Sequence, residues 1–154
     1  AGVVERKRGD VELPVDERIP LLVRLEQRGA GIDLHVETDQ ESWDQGTIML
    51  TLGNGPREGG GFLVTPEAKF DDGILNYASI RKISRLTMLR LVPQVMKGTH
   101  ARFKQVRMGT CHKMSVSSKQ PLYVHCDGEI FSGFDMDLRK LEIGILPNAL
   151  QFLK

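Results

Sequence analysis

At 154 residues the chain is long enough for one domain with a hydrophobic core of its own. Apolar residues at 40% and charged residues at 27% exclude a disordered chain. A net charge of +1 leaves no global field with which to hold nucleic acid or an anionic surface.

The opening, Ala1 to Arg8, brings charge where a signal peptide needs an apolar core. It starts without methionine, and the chain is expected to be a piece of something longer. Val3 to Glu5 with Val11 to Leu13 predicts a weak hairpin. Lys7 to Glu17, charged and carrying Pro14, is expected to be the least ordered part. Leu21 to Leu25 predicts a strand. Ile32, Leu34 and Val36 then alternate with Asp33, His35 and Glu37, which sets one face on a core and one in water. Thr47 to Gly53 reads as a more buried strand ending in glycine. Phe62 to Val64, Ile74 to Ile83, Gln105 to Met108, Lys113 to Ser117 and Leu122 to Cys126 predict further strands. Glu142 to Leu146 and Ala149 to Leu153 close the set. Short strands at close spacing, parted by Gly, Pro and Asp, predict a mainly β, two-layer β-sandwich-like domain.

One segment has a different period. Ser84 is a good N-cap, and Leu86, Leu89, Val92, Val95 and Met96 recur at helical spacing up to Lys97. Gly98 follows as the glycine that ends a helix. The helical segment is therefore expected at about 84–97. Pro93 lies inside it, removes a backbone donor and predicts a kink or two short helices. The basic residues gather around this segment: Arg81, Lys82, Arg85 and Arg90, then Lys97, Arg102, Lys104 and Arg107. A solvated face is their plain reading. No apolar run approaches the roughly 18 residues of a membrane-spanning helix. Two cysteines without C-x-x-C spacing, and four scattered histidines, give neither a disulfide framework nor a zinc site.

Three motifs carry possible chemistry. Gly53 to Gly61 is glycine-rich, but its spacing is not that of a phosphate loop and no helix follows it. A glycine connection between strands needs no ligand. Asp71-Asp72-Gly73 is a turn signal whose carboxylates could also hold a hard cation. Asp127-Gly128 is a hairpin dipeptide, and Glu129 opens the returning strand.

In this order and at this spacing, Gly53 to Phe62, Thr65 to Leu75 and Pro121 to Phe131 resemble the C-terminal half of the diacylglycerol kinase and sphingosine kinase family of lipid kinases. Lys97-Gly98-Thr99-His100 at the helix exit and Pro147 to Leu150 strengthen the resemblance, which covers Gly29 to Leu153. It implies a segment 1–28 that matches poorly and a C-terminal β-domain over 29–154. The Gly-Gly-Asp-Gly-Thr motif, which in the family binds ATP and supplies the aspartate taken as catalytic, is absent from this sequence.

The resemblance implies an ATP- and magnesium-dependent enzyme. Asp127, Gly128 and Glu129 match the segment that meets nucleotide phosphates and their magnesium, with Glu129 as the catalytic acid of this half. Asp72 and the backbone carbonyl of Ile74 match positions that hold a structural magnesium in soluble bacterial members. Lys69 stands where a further oxygen ligand is wanted. The implied partners are an N-terminal nucleotide-binding domain of the same enzyme, a lipid substrate and a transient membrane surface, with no nucleic acid. A cytoplasmic protein, peripheral to the membrane, is expected, and this chain alone is expected to be inactive. Two alternatives stay open. One is a non-catalytic β-sandwich module that binds lipid or protein. The other is a soluble-nucleotide kinase resembling the NAD kinases, which the Thr65 to Leu75 and Asp127 to Glu129 segments fit less well.

Overall fold

The computed structural model describes residues 6–7, 10–16, 22–26, 31–58, 61–127, 129–133 and 136–146, with side chains from residue 31 onward. Strand β5 (Ser42–Gly53) organises the rest, because its twelve residues are long enough to serve two sets of partners. Its first half pairs antiparallel with β4 (Ile32–Thr38), from Thr47 opposite Ile32 to Ser42 opposite Glu37. Its second half pairs with β3 (Leu22–Glu26) on the same edge and with β6 (Leu75–Arg81) on the other. A register shift between Thr47 and Met49 marks the change of partner, as bulges do where a strand bends.

One layer continues from β4 through β8 (Lys113–Ser117) and β11 (Lys140–Leu146) to β2 (Asp10–Asp16) and β1 (Arg6–Lys7). The other adds β7 (Val106–Cys111) beyond β6, and β9 (Val124–Cys126) and β10 (Glu129–Ser132) beyond β3. The alternating apolar residues of the two layers meet between them. Leu34, Val36, Met114, Val116, Leu141 and Ile143 from one side pack with Leu50, Leu52, Leu75, Tyr77 and Val124 from the other. Each such side chain, taken fully out of water, contributes about 1.5–3 kcal/mol before entropy is counted. The fold is mainly β, a two-layer sandwich with one helix, as the sequence implies.

Strand β6 departs from period two because it is buried on both faces. Leu75 and Tyr77 enter the interlayer core, while Ala78 and Ile80 face helix α1 (Arg85–Met96) with Val64. Ser84 caps this helix by accepting the Thr87 N–H at 3.2 Å, and Gly98 follows with φ of 68°. Of the apolar series that signals the helix, only Val95 is buried, joined by Leu91. Of the two outcomes expected at Pro93, a kink or two short helices, the second does not occur: the helix is one element from Arg85 to Met96. Pro93 leaves the Leu89 carbonyl without its i+4 donor. Leu89 is well exposed, so water can take that donor's place.

Three other expectations need correction. Phe62 to Val64 is not a strand: a single bridge joins Glu58 and Phe62. Strand β5 begins five residues before the predicted Thr47, since cross-strand pairing with β4 extends it through Ser42, Asp44 and Gln45, with Trp43 turned into the core. The stretch expected to be least ordered holds β2, paired in parallel with the whole of β11 from Lys140 to Leu146. Pro14 is tolerated there because β1 pairs only with Asp10 and Val11, leaving the edge beside Pro14 without a described partner. The hairpin in this region joins Arg6 and Lys7 to Val11 and Asp10. Val3 to Glu5, Leu21, the last predicted strand and Pro147 to Leu150 lie outside the described residues.

Candidate functional site

Strand register brings the three sequence motifs to one end of one layer. Gly53 pairs with Leu22 on one side and with Asn76 on the other, and Cys126 pairs with Val23. The turn entering β6, the glycine-rich loop leaving β5 and the tip between β9 and β10 therefore emerge on the same rim. At about 4.8 Å per strand, the hairpin tip lies about 10 Å from the end of β5 and about 14 Å from the Asp72 turn. A single ion cannot bridge that last separation.

At the tip, Cys126 pairs with Glu129, which leaves two positions between the strands. Asp127 has φ of 50°, the left-handed conformation that a type I′ turn needs at its first position. Gly128 lies outside the described residues. Asp127, Glu129 and Ile130 are exposed, and the Glu129 carboxylate makes no hydrogen bond or ion pair among the described residues. The tip stands on a fixed base, because Val124 is fully buried and Cys126 and Phe131 pack against the interlayer core. Burial, and next the Asp127 carboxylate, push the Cys126 thiol up to about 11. It is thus an inert neighbour rather than a nucleophile.

At the Asp72 turn, Oδ1 accepts the Ile74 N–H at 3.0 Å, a local bond that accounts for this acid without any metal. The other carboxylate oxygen and the Ile74 carbonyl are donors of the kind a hard cation takes. They are too few. Lys69 adds none, and among the described residues no three His, Cys, Asp or Glu side chains gather to hold an ion.

The glycine-rich loop is covered at Gly55 by its own chain. A Cβ on Gly55 would sit 2.4 Å from the Phe70 ring, so glycine is needed for that ring to cover the loop. The Thr65 hydroxyl donates to the Gly55 carbonyl at 2.7 Å. The helix exit clamps the following segment: His100 Nε2–H donates to the Val64 carbonyl at 2.9 Å, and Leu63 N–H to Val95 at 3.2 Å. Burial holds the His100 imidazole below its ordinary pKa, so it stays neutral. Packing accounts for Gly55, whereas a Cβ on Gly61 would meet nothing within 4 Å, and Gly59 and Gly60 lie outside the described residues.

Sequence reasoning missed two features. The first is an apolar groove of about 690 Å³ between α1 and the outer face of β5 and β6. Ile48, Met49, Val64, Ile80, Leu91 and Val95 line it, with Glu58 and Arg85 among its few polar groups. A signal was present: α1 carries seven Leu, Val and Met among its twelve residues, more than one buried stripe accommodates. The second is a polar knot that ties β5, β6 and β7. Tyr77 donates to Glu41 at 2.5 Å, Arg107 donates to the same carboxylate at 3.1 Å, and its guanidinium lies 4.4 Å from the Trp43 ring centroid. Tyr77 also stacks on Trp43 at 5.5 Å. Burial, with the Glu41 bond second, keeps the Tyr77 phenol protonated. No sequence spacing announces this knot, since its members lie up to 66 residues apart.

Residues 24–154 match the family model described as the YegS C-terminal NAD kinase beta sandwich-like domain. The "Diacylglycerol kinase" of Mycobacterium tuberculosis (strain CDC 1551 / Oshkosh) is 32% identical over 108 residues, covering 69% of this chain and 32% of that protein. A protein named "Probable lipid kinase YegS-like" from Xanthomonas campestris pv. campestris (strain 8004) is 33% identical over 99 residues, 64% of this chain and 32% of its own length. The chain thus spans about a third of the curated relatives it matches. The crystal structure of a diacylglycerol kinase from Bacillus anthracis str. Sterne shares the fold, with a TM-score of 0.54 at 9% identity, over 84% of this chain and 50% of that one.

Proposed function

This chain belongs to the family of YegS C-terminal NAD kinase beta sandwich-like domains, and from that premise we propose that it forms the substrate-side half of an ATP-dependent lipid kinase. The acceptor is the hydroxyl of a lipid such as diacylglycerol, and an N-terminal domain of the same enzyme supplies the nucleotide-binding half. The register that sets the Asp127 hairpin, the glycine-rich loop and the Asp72 turn on one rim carries this reading. Those are the three segments that resemble the lipid kinases, and the fold gathers them where a second domain can close over them.

Phosphoryl transfer is mostly positioning and charge neutralisation. Glu129 is exposed on a well-anchored hairpin, and its carboxylate has no partner among the described residues, which supports a role at the cleft that a second domain would complete. Magnesium that accompanies ATP neutralises phosphate charge when bound, and an acid such as Glu129 is the oxygen donor it takes. Asp127 fixes the turn that aims Glu129. The groove beside α1 receives the hydrocarbon: Met49 on its wall and Gly53 at the rim are four residues apart on β5, about 13 Å, within the length of an acyl chain. A non-catalytic lipid-binding module is the second reading, favoured by a groove that needs no other domain to form its walls.

The test is transfer of radiolabel from ATP to diacylglycerol. The full-length protein is expected to label the lipid in a magnesium-dependent way, and the 154-residue chain alone is expected to label none. Transfer by the isolated chain would overturn the two-domain account. A full-length protein that binds diacylglycerol and transfers nothing would favour the second reading.

A further inference from the structure

The groove beside α1 has a polarity as well as a volume of about 690 Å³. Glu58 and Arg85 are the charged residues on its wall, and the other described residues that line it are apolar. The two stand at opposite ends. Arg85 opens α1, close to Ile48 and Ile83, at the end where Thr47 pairs with Arg81. Glu58 is bridged to Phe62, and the next residue, Leu63, donates its N–H to the Val95 carbonyl in the last turn of the helix. The twelve residues of α1 put about 18 Å between these ends, the reach of one extended long acyl chain.

The cation at the first end is uncommitted. Lys82 pairs with Asp33 and Arg81 reaches Gln45, whereas the Arg85 side chain has no ion pair or hydrogen bond among the described residues. Helix stability does not account for it either, since a cation at the positive end of the helix dipole is unfavourable and no acid in the first turn offsets it. A neutral lipid has no use for charge at the far end of its chain. A long-chain carboxylate does: its tail leaves water along the apolar wall, and its head takes a cation and avoids an acid. We infer that the groove is also a site for a free long-chain fatty acid, with the carboxylate on Arg85 and the methyl end toward Glu58. That sense is opposite to the one proposed for the acceptor lipid, whose hydroxyl reaches the rim beyond Glu58. A fatty acid so placed excludes the acceptor's chain without entering the phosphate cleft, and so regulates rather than reacts. The exclusion rests on the lipid kinase reading; the carboxylate site does not.

The full-length protein, without nucleotide, is to be dialysed to equilibrium against palmitate and against hexadecanol, each kept below its aggregation threshold. Palmitate is expected to bind saturably and about fivefold tighter than the alcohol, the effect of one ion pair at a wet groove mouth. Arg85→Gln should remove that preference while leaving hexadecanol binding and the melting temperature unchanged, and Arg85→Lys should restore most of it. Arg90→Gln, an equal loss of charge on the same helix but off the groove wall, should change nothing. Across a series of saturated acids, affinity should rise about fourfold per methylene until the groove is filled, and then level off. Equal binding of acid and alcohol, or a preference for the acid that survives Arg85→Gln, overturns the carboxylate site. So does binding that does not saturate, which would mark adsorption to the apolar surface at large. In the transfer assay palmitate should compete with diacylglycerol, and Arg85→Gln should weaken that competition about fivefold. A full-length protein that prefers palmitate through Arg85 and transfers no phosphate counts against the kinase reading alone. One that transfers phosphate and does not tell the two probes apart counts against the fatty acid site alone.

Discussion

The two faces of β6 make the clearest contrast in this molecule. One face sends Leu75 and Tyr77 into a core where the facing side chains of both layers are almost wholly out of water. The other sends Ala78 and Ile80 toward a helix that meets them with only Leu91 and Val95, leaving a groove of about 690 Å³. The same strand, with the same kind of apolar residues, thus builds a closed core on one side and an open one on the other. The closed face is where stability resides, and the open face is where a ligand can be taken.

The contrast would break if both faces answered truncation alike. Leu141→Ala, fully buried between the layers, should cost about 2–5 kcal/mol, read by urea unfolding. Leu89→Ala, on the exposed side of α1, should change stability by no more than about 0.5 kcal/mol while altering lipid binding. Equal losses at the two positions would mean that the groove is filled in solution. The next effect in size concerns the helix that walls the groove. Ser84→Ala removes the bond to Thr87 and should cost about 1 kcal/mol, with Ser84→Asp restoring it.

The smallest effect is a pH dependence at the edge of the closed region. Asp39 accepts from His112 Nδ1 at 2.8 Å and from the His112 backbone N–H at 2.9 Å. The side-chain bond above all holds the carboxyl down at about 2, against its ordinary 3.8. A carboxylate with a lower pKa in the folded state stabilises the fold above its unfolded value, and that contribution fades as pH falls from about 4 to 2. Asp39→Asn should therefore lower the melting temperature at pH 6, and the gap to the parent should close toward pH 2. A gap that does not depend on pH would mean that the bond's geometry, and not its charge, matters.

Strands that alternate were legible in the sequence because half-burial writes a period of two. β4 and β8 fall where Ile32 to Val36 and Lys113 to Ser117 predict. The helix was legible from Ser84 and Gly98, whose local chemistry sets both ends. What was not legible came from pairing at a distance. Ser42 to Gln45 extends β5 only because β4 lies beside it, and β2 is a strand only because β11 offers a partner. The site followed the same rule. Each motif could be seen alone, but only the register of β3, β5, β6 and β9 puts them on one rim. Glu142 shows the converse: in sequence it is an acid without a role, and in the fold it pairs with Lys113 and Lys140.

Glu129→Gln in the full-length enzyme tests the central claim most directly, because it keeps the shape of the side chain and removes only its charge. Glu37, an exposed acid in the other layer, provides the control as Glu37→Gln. Turnover of diacylglycerol should fall at least a hundredfold in Glu129→Gln, about 2.7 kcal/mol of transition-state stabilisation. Its melting temperature should stay at the parent value, and Glu37→Gln should match the parent in both. Parent-like turnover in Glu129→Gln would contradict the placing of this hairpin in the catalytic cleft.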